Sequence, residues 1–183
     1  MSHAVRATLA LLAALTVASA PALADVTISE VLADPPGDTA GDVNHDGNRS
    51  PVEDEFIELL NNGAKAADLS NWSLSDAAKV RHTFAAGTTL APGDTLVIFG
   101  GGKPQSIKGQ VVTASSGGLS LNNNGDVLTL RDAAMEVMDS LSYGNAADKE
   151  QSLVRNGAGE LVLHTSIEGA NGALFSPGTV TKQ

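Results

Sequence analysis

Residues 42–53 carry the most specific chemical pattern in this chain, because they fill every specified position of the twelve-residue calcium loop D-x-[DN]-x-[DN]-G-x5-E. Ca²⁺ is bound by six to eight oxygen atoms, and the alternating side chains of Asp42, Asn44 and Asp46 can supply three of them. Gly47 permits the sharp turn that such a loop requires. The remaining predicted ligands are the backbone carbonyl of Asn48, the hydroxyl of Ser50 or a water that it holds, the bidentate carboxylate of Glu53, and Asp54 as a substitute for Glu53.

The sequence around this loop opposes the helix pair of an EF-hand. Residues 35–37 read Pro-Pro-Gly, and prolines followed by glycine disfavour a helix before the loop. Arg49 and Pro51 are further departures from the EF-hand pattern, and residues 55–60 after it suit either a strand or a helix. We therefore predict a calcium loop without an EF-hand. The alternative is a solvated acidic surface turn that binds no metal tightly.

The elements that must position this loop are short strands, because the apolar residues come in short runs separated by Gly, Pro, Asn and Asp. Many short strands joined by turn residues predict a sandwich or a barrel in a single domain. A short helix is expected around residues 64–68 or 145–150. The expected strands are residues 26–32, 56–60, 72–74, 80–84, 95–99, 110–113, 127–131, 137–143, 151–154 and 161–164.

Alternation within the strands predicts one apolar and one wet face for a sheet. Val137, Leu141 and Tyr143 share one side of their strand, and that side also includes Asp139. The first strand breaks the alternation, so a β-bulge is predicted near residues 29–30. Trp72 is expected in the core.

The first 24 residues read as a signal peptide. Arg6 gives a weak basic start, residues 7–20 are apolar and uncharged, and residues 22–24 read Ala-Leu-Ala, a cleavage site. We expect a mature domain of residues 25–183, with a long acidic loop over residues 34–55, that is secreted to the extracellular space, the cell surface or the periplasm. No later segment approaches the length of a membrane span.

Charge and composition exclude several kinds of function. The formal net charge is −10, and removal of Arg6 would make it more negative, so a nucleic acid partner is not expected. The chain has no cysteine, which excludes disulfides, thiolate nucleophiles and cysteine-based zinc sites. Whatever stability a disulfide would have given must come from packing, helped by metal if the loop binds one.

The other residues with chemical potential have weaker patterns. His45, His82 and His164 lack any metal-ligand spacing, and no G-x-S-x-G motif is present. Residues 100–103 read Gly-Gly-Gly-Lys but fail the phosphate-loop pattern, so a flexible loop after a strand is expected. The carboxylates that cluster near the end of the acidic loop, where a glycosidase pair could be sought, are Glu53, Asp54, Glu55 and Glu58.

An ordered series of short motifs resembles the lamin tail domain family in its secreted bacterial form. The matching segments are E-F-I-E-L at residues 55–59, D-L-S-N-W-S-L at 68–74, L-A-P-G at 90–93, N-G-D at 124–126, Y-G at 143–144, Q-S-L-V-R at 151–155 and S-P-G at 176–178. The resemblance covers residues 26–178 in the family's order. Bacterial relatives often have an aspartate-rich insertion before the E-F-I-E-L strand, and the acidic loop resembles that insertion.

The resemblance implies an immunoglobulin-like β-sandwich without known catalytic residues, used as an interaction or structural module. A nuclear-filament role is not expected, because the chain has no heptad repeat and no prenylation motif at residues 181–183. We therefore predict a secreted, non-catalytic module with a calcium-ordered loop and a protein or cell-surface partner, whose identity is left open together with the oligomeric state. The alternatives are a metal-dependent hydrolase, either a nuclease or a glycosidase, that uses Asp42, Asp46 and Glu53, and a metal-free structural protein of the envelope.

Overall fold

The computed structural model describes residues 25–180, so the predicted signal peptide and residues 181–183 lie outside the described residues. Twelve strands and three short 3-10 helices form within this range. The strands are β1 (Val26–Leu32), β2 (Phe56–Asn61), β3 (Ala67–Asp68), β4 (Ser73–Ser75), β5 (Val80–Thr83), β6 (Thr89–Leu90), β7 (Thr95–Phe99), β8 (Gln110–Thr113), β9 (Asp126–Arg131), β10 (Val137–Tyr143), β11 (Leu153–Arg155) and β12 (Leu161–Leu163). The 3-10 helices are Thr39–Gly41, Asn145–Ala147 and His164–Ser166.

Two sheets face each other across the core. The larger sheet has the strand order β12-β11-β1-β2-β7-β8, and the smaller one has the order β10-β9-β4-β5. Strands β7 and β8 run parallel, and the other pairs in these sheets are antiparallel. A separate two-stranded ladder joins β3 and β6. The predicted all-β sandwich is confirmed.

The core between the sheets is formed by alternating apolar residues from both. Full burial of a leucine, isoleucine or phenylalanine side chain stabilises the folded state by about 1.5–3 kcal/mol relative to leaving it exposed. Trp72 belongs to this core at 9% exposure, as predicted. Buried members of this core include, from the larger sheet, Ile28, Leu59, Leu96 and Ile98 and, from the smaller sheet, Leu74, Leu128, Leu130 and Leu141.

The predicted wet face is found on the smaller sheet, where Val127, Ser140 and Ser142 of β9 and β10 are exposed, but the outer face of the larger sheet is buried. The long segments before β2, after β7 and after β12 contribute apolar side chains that cover this face. The outer cluster consists of Leu32, Val43, Phe56, Val97 and Phe99, with Ile107, Val111 and Phe175 packed against it. Phe56 and Phe99 pack with their ring centroids 5.7 Å apart.

The predicted bulge in β1 is confirmed by a register shift against β2 between Ile28 and Glu30. A second shift, which the sequence did not predict, lies in β10 between Val137 and Asp139. The extra residue reverses the side of the sheet towards which the preceding side chains of the strand point. Val137 is therefore 52% exposed, although Leu141 is buried. The prediction that Val137 shares the apolar side is therefore wrong.

Strand β10 is connected to the larger sheet through Asp139. One of its carboxylate oxygens accepts a hydrogen bond from the backbone N–H of Ile28 at 2.7 Å. The other accepts one from Arg155 at 3.0 Å. The carboxylate thus joins β10 to both β1 and β11.

Several strand boundaries agree with the sequence predictions, and those of β1, β7, β8 and β10 agree at both ends. The helix expected around residues 64–68 is wrong, because Ala67–Asp68 pairs with Thr89–Leu90 as a ladder of two residues. Such short strands contain too few residues for alternation to be visible. The segment 145–150 contains a 3-10 turn over Asn145–Ala147.

Candidate metal-binding loop

The acidic loop connects β1 to β2 and lies against the segment that follows β7. Phe56 and Phe99 are register partners, so the start of β2 lies beside the end of β7. The backbone pairing continues beyond the strands: Gly100 N–H donates to the carbonyl of Glu55 at 2.8 Å, and Gly101 N–H donates to that of Glu53 at 3.1 Å. The glycine run was expected to be a flexible loop, but it forms one wall of the candidate site.

Three predicted ligands gather around one turn of the loop. The backbone N–H of Asp46 lies 3.1 Å from Oδ1 of Asp42 and 2.9 Å from Oδ1 of Asn44. The other carboxylate oxygen of Asp42 accepts a hydrogen bond from Gly47 N–H at 3.0 Å. Gly47 has φ +93°, the left-handed conformation that the calcium-loop pattern assigns to glycine. Each oxygen keeps a second lone pair, so these bonds leave it able to bind a cation.

An open cleft of about 470 Å³ lies between this turn and the glycine run. Its lining residues are Asp46, Asn48, Glu53, Gly102, Lys103 and Gln105. Gly102 has φ +74°, and a Cβ there would lie 2.5 Å from both Asp46 Oδ2 and Asn44 Nδ2. A Cβ on Gly101 would lie 3.0 Å from Cγ of Glu53. The glycines therefore let the side chains of Asn44, Asp46 and Glu53 approach the same stretch of backbone.

The electrostatics of the cleft keep Asp46 charged. The hydrogen bond from Lys103 N–H, at 3.0 Å, and that from Asn48 N–H, at 2.9 Å, hold the pKa of this carboxylate below its usual range. The charge of Lys103 contributes in the same direction. Asn48 also donates from its side-chain amide to Oδ1 of Asp46 at 3.2 Å. An ionised carboxylate is what a hard cation requires of its ligand.

Asp54 differs from the other predicted carboxylate ligands because it is fully buried. Its two oxygens accept hydrogen bonds from the backbone N–H groups of Asn44, at 2.9 Å, and Ser50, at 2.7 Å. Burial raises the pKa of Asp54, and these hydrogen bonds oppose the rise. Asp54 therefore ties both halves of the loop together, and its use as a substitute ligand for Glu53 stays a prediction.

Ser50 and Arg49 also shape the loop. The hydroxyl of Ser50 accepts from Glu53 N–H at 3.1 Å, which begins the turn that brings Glu53 to the cleft. The guanidinium of Arg49 donates to the carbonyls of Pro35 and Pro36, each at 2.8 Å. Arg49 is a departure from the EF-hand pattern, but here it closes the entrance of the loop onto its middle.

The donor set consists of oxygen atoms, which is the chemistry that Ca²⁺ prefers. Within residues 25–180, no group of three or more His, Cys, Asp or Glu side chains is arranged to hold a metal ion. A calcium site in this loop would therefore need Asn44, the carbonyl of Asn48 and water in addition to carboxylates. Asp42, Asn44, Asp46, Asn48, Ser50 and Glu53 all lie on the loop as the pattern requires, and their role as ligands stays a prediction.

Of the residues considered for catalysis, Asp46 and Glu53 line this cleft, but the histidines, Glu55 and Glu58 do not. His45 lines a different cleft, together with Ile107, Lys108 and Phe175. His82 and His164 are buried, with exposures of 6% and 1%. Glu55 and Glu58 are 4% and 2% exposed, and burial raises their pKa values to about 8 and about 7. A substrate in the cleft could not reach a carboxylate pair of the glycosidase kind at these positions.

The fold and the loop define a β-sandwich with an ordered acidic insertion between its first two long strands. A model of the lamin tail domain family matches residues 19–145, which is well over half of the chain. The chain therefore belongs to the lamin tail domain family. This is a non-enzymatic family of immunoglobulin-like domains. A search of curated proteins found no match. No helix within residues 25–180 has the length and apolar character needed to cross a membrane.

Proposed function

We propose that this chain is an exported, non-catalytic lamin tail domain that binds a protein or cell-surface partner and whose acidic loop takes up Ca²⁺. The observation that carries the metal part is the approach of two predicted ligand oxygens to the backbone N–H of Asp46, with Oδ1 of Asp42 at 3.1 Å and Oδ1 of Asn44 at 2.9 Å. A loop already folded in this way loses less conformational freedom when it binds a cation. Export is supported by the signal-peptide pattern of residues 1–24.

Calcium binding in this setting would stabilise rather than switch. The loop lies between two strands of a sandwich and has no pair of helices that could open. If free Ca²⁺ exceeded the dissociation constant tenfold, the folded state would gain about 1.4 kcal/mol by linkage. The loop would then hold the cleft and the adjoining outer cluster, which includes Val43, in one arrangement for a partner.

The second candidate is a loop that works without metal, and the position of Lys103 favours it. Lys103 lines the cleft and its charge stabilises ionised Asp46, so the protein supplies a cation of its own. The two candidates predict different effects of removing the charge of Lys103. If Ca²⁺ binds, Lys103→Met removes a competing charge and raises the affinity a few-fold. If the loop is metal-free, the same change only weakens the acidic turn.

Calorimetric titration of chelator-treated protein, combined with melting curves with and without Ca²⁺, tests the proposal. We expect a binding heat, a higher melting temperature with Ca²⁺, and a smaller melting shift with weaker binding in Asp46→Asn, because the pattern accepts asparagine at this position but the change removes one ligand charge. Asp94→Asn is the matched control, because Asp94 is an exposed aspartate outside the loop. Absence of heat and of a melting shift at millimolar Ca²⁺ would refute calcium binding and leave the metal-free candidate.

The hydrolase alternative has less support, because His45, the only histidine in the acidic loop, lines a different cleft from Asp46 and Glu53. Incubation of the purified protein with nucleic acids and polysaccharides in Ca²⁺, Mg²⁺ or Mn²⁺ separates the classes. We expect no turnover. Turnover that disappears in Asp46→Ala would replace the non-catalytic proposal with a metal-dependent hydrolase.

A further inference from the structure

Two carboxylates lie side by side under the C-terminal segment of the domain. Glu30 in β1 and Glu58 in β2 are register partners, and both are 2% exposed. They lie on the outer side of the larger sheet, beneath residues 174–180, which we call the strap. Since like charges at such a position repel, two buried ionised carboxylates here would be costly.

The strap is attached to the sheet by these two carboxylates. Glu30 accepts hydrogen bonds from the backbone N–H of Ser176 at 2.9 Å and from its hydroxyl at 2.8 Å. Glu58 accepts one from the backbone N–H of Gly178 at 2.7 Å. Gly178 has φ +79°, and a Cβ there would lie 2.1 Å from the carbonyl oxygen of Lys108. The strap therefore contacts the two sheet carboxylates and also packs closely against the backbone of Lys108.

Three serines make this network able to hold a proton. Ser29 lies 2.8 Å from Glu58 Oε1, Ser152 lies 2.6 Å from Glu30 Oε1, and Ser176 lies 2.8 Å from Glu30 Oε2. Each serine hydroxyl also has a carbonyl acceptor at 3.3 Å, which is Glu58 for Ser29, Leu174 for Ser152 and Thr179 for Ser176. A hydroxyl that turns to its carbonyl can accept a hydrogen bond from a protonated carboxyl group. A proton can thus enter without leaving a donor or acceptor unpaired.

We propose that the Glu30 and Glu58 pair is a proton-holding latch: with one proton it keeps the strap on the sheet, and loss of that proton loosens the strap. When both carboxylates are ionised, their mutual repulsion and burial oppose closure, and opening the strap gives them water. The outer cluster, to which Phe175 contributes from the strap, would then become accessible. Val43 of the acidic loop belongs to the same cluster, so a loosened strap also removes a neighbour of that loop.

The charge environment supports a latch that responds near neutral pH. Burial, and next the charge of Glu30, raise the pKa of Glu58 to about 7. On the strands packed around the pair, β7 has no charged residue and Arg155 of β11 is paired with Asp139. Within residues 25–180, further titratable groups line two clefts that border the strap: His45 and Lys108 line one, and His164 and Glu168 line the other.

The sign of the pH effect follows from the raised pKa. In the open strap, Glu58 is exposed to water and returns towards its usual value, whereas in the closed strap it keeps its proton up to about pH 7. Between these values the closed state binds more protons than the open one. Closure is therefore strongest below about pH 5, weakens as the pH rises to about 7 and changes little above that.

Amide hydrogen exchange at Ser176 and Gly178 of the full chain, corrected for intrinsic rates and at fixed free Ca²⁺, measures this directly. We expect protection to fall about tenfold or more between pH 5 and pH 8. Glu58→Gln should remain protected over the whole range, because its amide oxygen still accepts from Gly178 while its NH₂ donates to Ser29. Glu136→Gln, at an exposed position in the β9–β10 hairpin, should behave as the unmodified protein.

Protection that is independent of pH in the unmodified protein would overturn the latch. So would a pH dependence that persists in Glu58→Gln, because another group would then be titrating. Carbon-13 NMR titration of the Glu58 carboxyl group needs no variant and decides the matter if Glu58→Gln does not fold. Protection must decrease up to the midpoint of this titration and change little above it, and a midpoint below pH 5 would also overturn the proposal.

Discussion

Asp46 in the acidic loop and Glu58 under the strap are both carboxylates that accept backbone hydrogen bonds, yet their pKa values move in opposite directions. That of Asp46 is lowered, chiefly by the hydrogen bonds from Lys103 and Asn48. That of Glu58 is raised to about 7, chiefly by burial. Full burial can shift a carboxyl group by several units, more than one or two hydrogen bonds return. The degree of burial therefore decides which carboxylate stays ionised and can bind a cation, and which one holds a proton.

Asp54 separates the effect of burial from the effect of position in the chain. It belongs to the acidic loop by sequence, but it is fully buried and burial raises its pKa, as for Glu58. Its two oxygens accept backbone N–H groups and hold the loop in shape. The loop thus contains an outer set of carboxylates that face the cleft and an inner one that supports them.

The largest effect is expected from the removal of this inner carboxylate. Asp54→Ala leaves the N–H groups of Asn44 and Ser50 without their acceptor in a buried site, which should cost about 2–4 kcal/mol of unfolding free energy. The affinity for Ca²⁺ should fall as well, because the loop must then be ordered by the metal. Urea denaturation and calorimetry measure the two quantities.

Asp54→Asn is the control for this change, because the amide keeps one oxygen acceptor and nearly the same volume. We expect its loss of stability to be less than half of that in Asp54→Ala. Equal stability and equal calcium affinity in Asp54→Ala and the unmodified protein would show that the inner carboxylate does not support the outer ones.

A smaller effect is expected from Gly102→Ala, which tests the wall of the cleft. Gly102 and Gly87 have φ values of +74° and +84°, so alanine should cost about 1–2 kcal/mol of stability at either position. At Gly102 the new Cβ would also lie 2.5 Å from the side chains of Asn44 and Asp46, whereas nothing lies within 4 Å of it at Gly87. Those side chains can move, but movement displaces two predicted calcium ligands.

Calorimetry on the two variants separates strain from crowding. We expect Gly102→Ala to bind Ca²⁺ about tenfold more weakly, which corresponds to about 1.4 kcal/mol, and Gly87→Ala to bind it normally. An equal affinity in both variants would mean that the glycine run does not form part of the metal site.

The difference between the two carboxylate groups also explains what the sequence could predict. The acidic loop was visible because its ligands lie within twelve consecutive positions and follow a known spacing. Its wall was not visible, because residues 100–102 reach the loop only through the pairing of β2 with β7. Three consecutive glycines were nevertheless a signal, since glycine often marks a close approach of two backbones.

The latch could not be predicted from the sequence, although the bulge that flanks it could. Glu30 and Glu58 lie in separate strands, and a charged residue in an alternating strand indicates a face exposed to water. That inference was wrong here, because the strap and the loop cover the outer face from distant parts of the chain. The S-P-G motif at residues 176–178 matched the family pattern but did not indicate the carboxylates on which it lies.

The smallest effect concerns the interaction between the two latch carboxylates. Glu30→Gln removes the second cause of the raised pKa of Glu58 and leaves the first, which is burial. The glutamine oxygen can still accept from Ser152 and Ser176, so the strap should stay closed. Carbon-13 NMR should show the pKa of Glu58 falling by about one unit, with no change in Glu136→Gln. An unchanged pKa would mean that burial alone raises the pKa of Glu58, so that its contrast with the more accessible Asp46 would not depend on the neighbouring charge of Glu30.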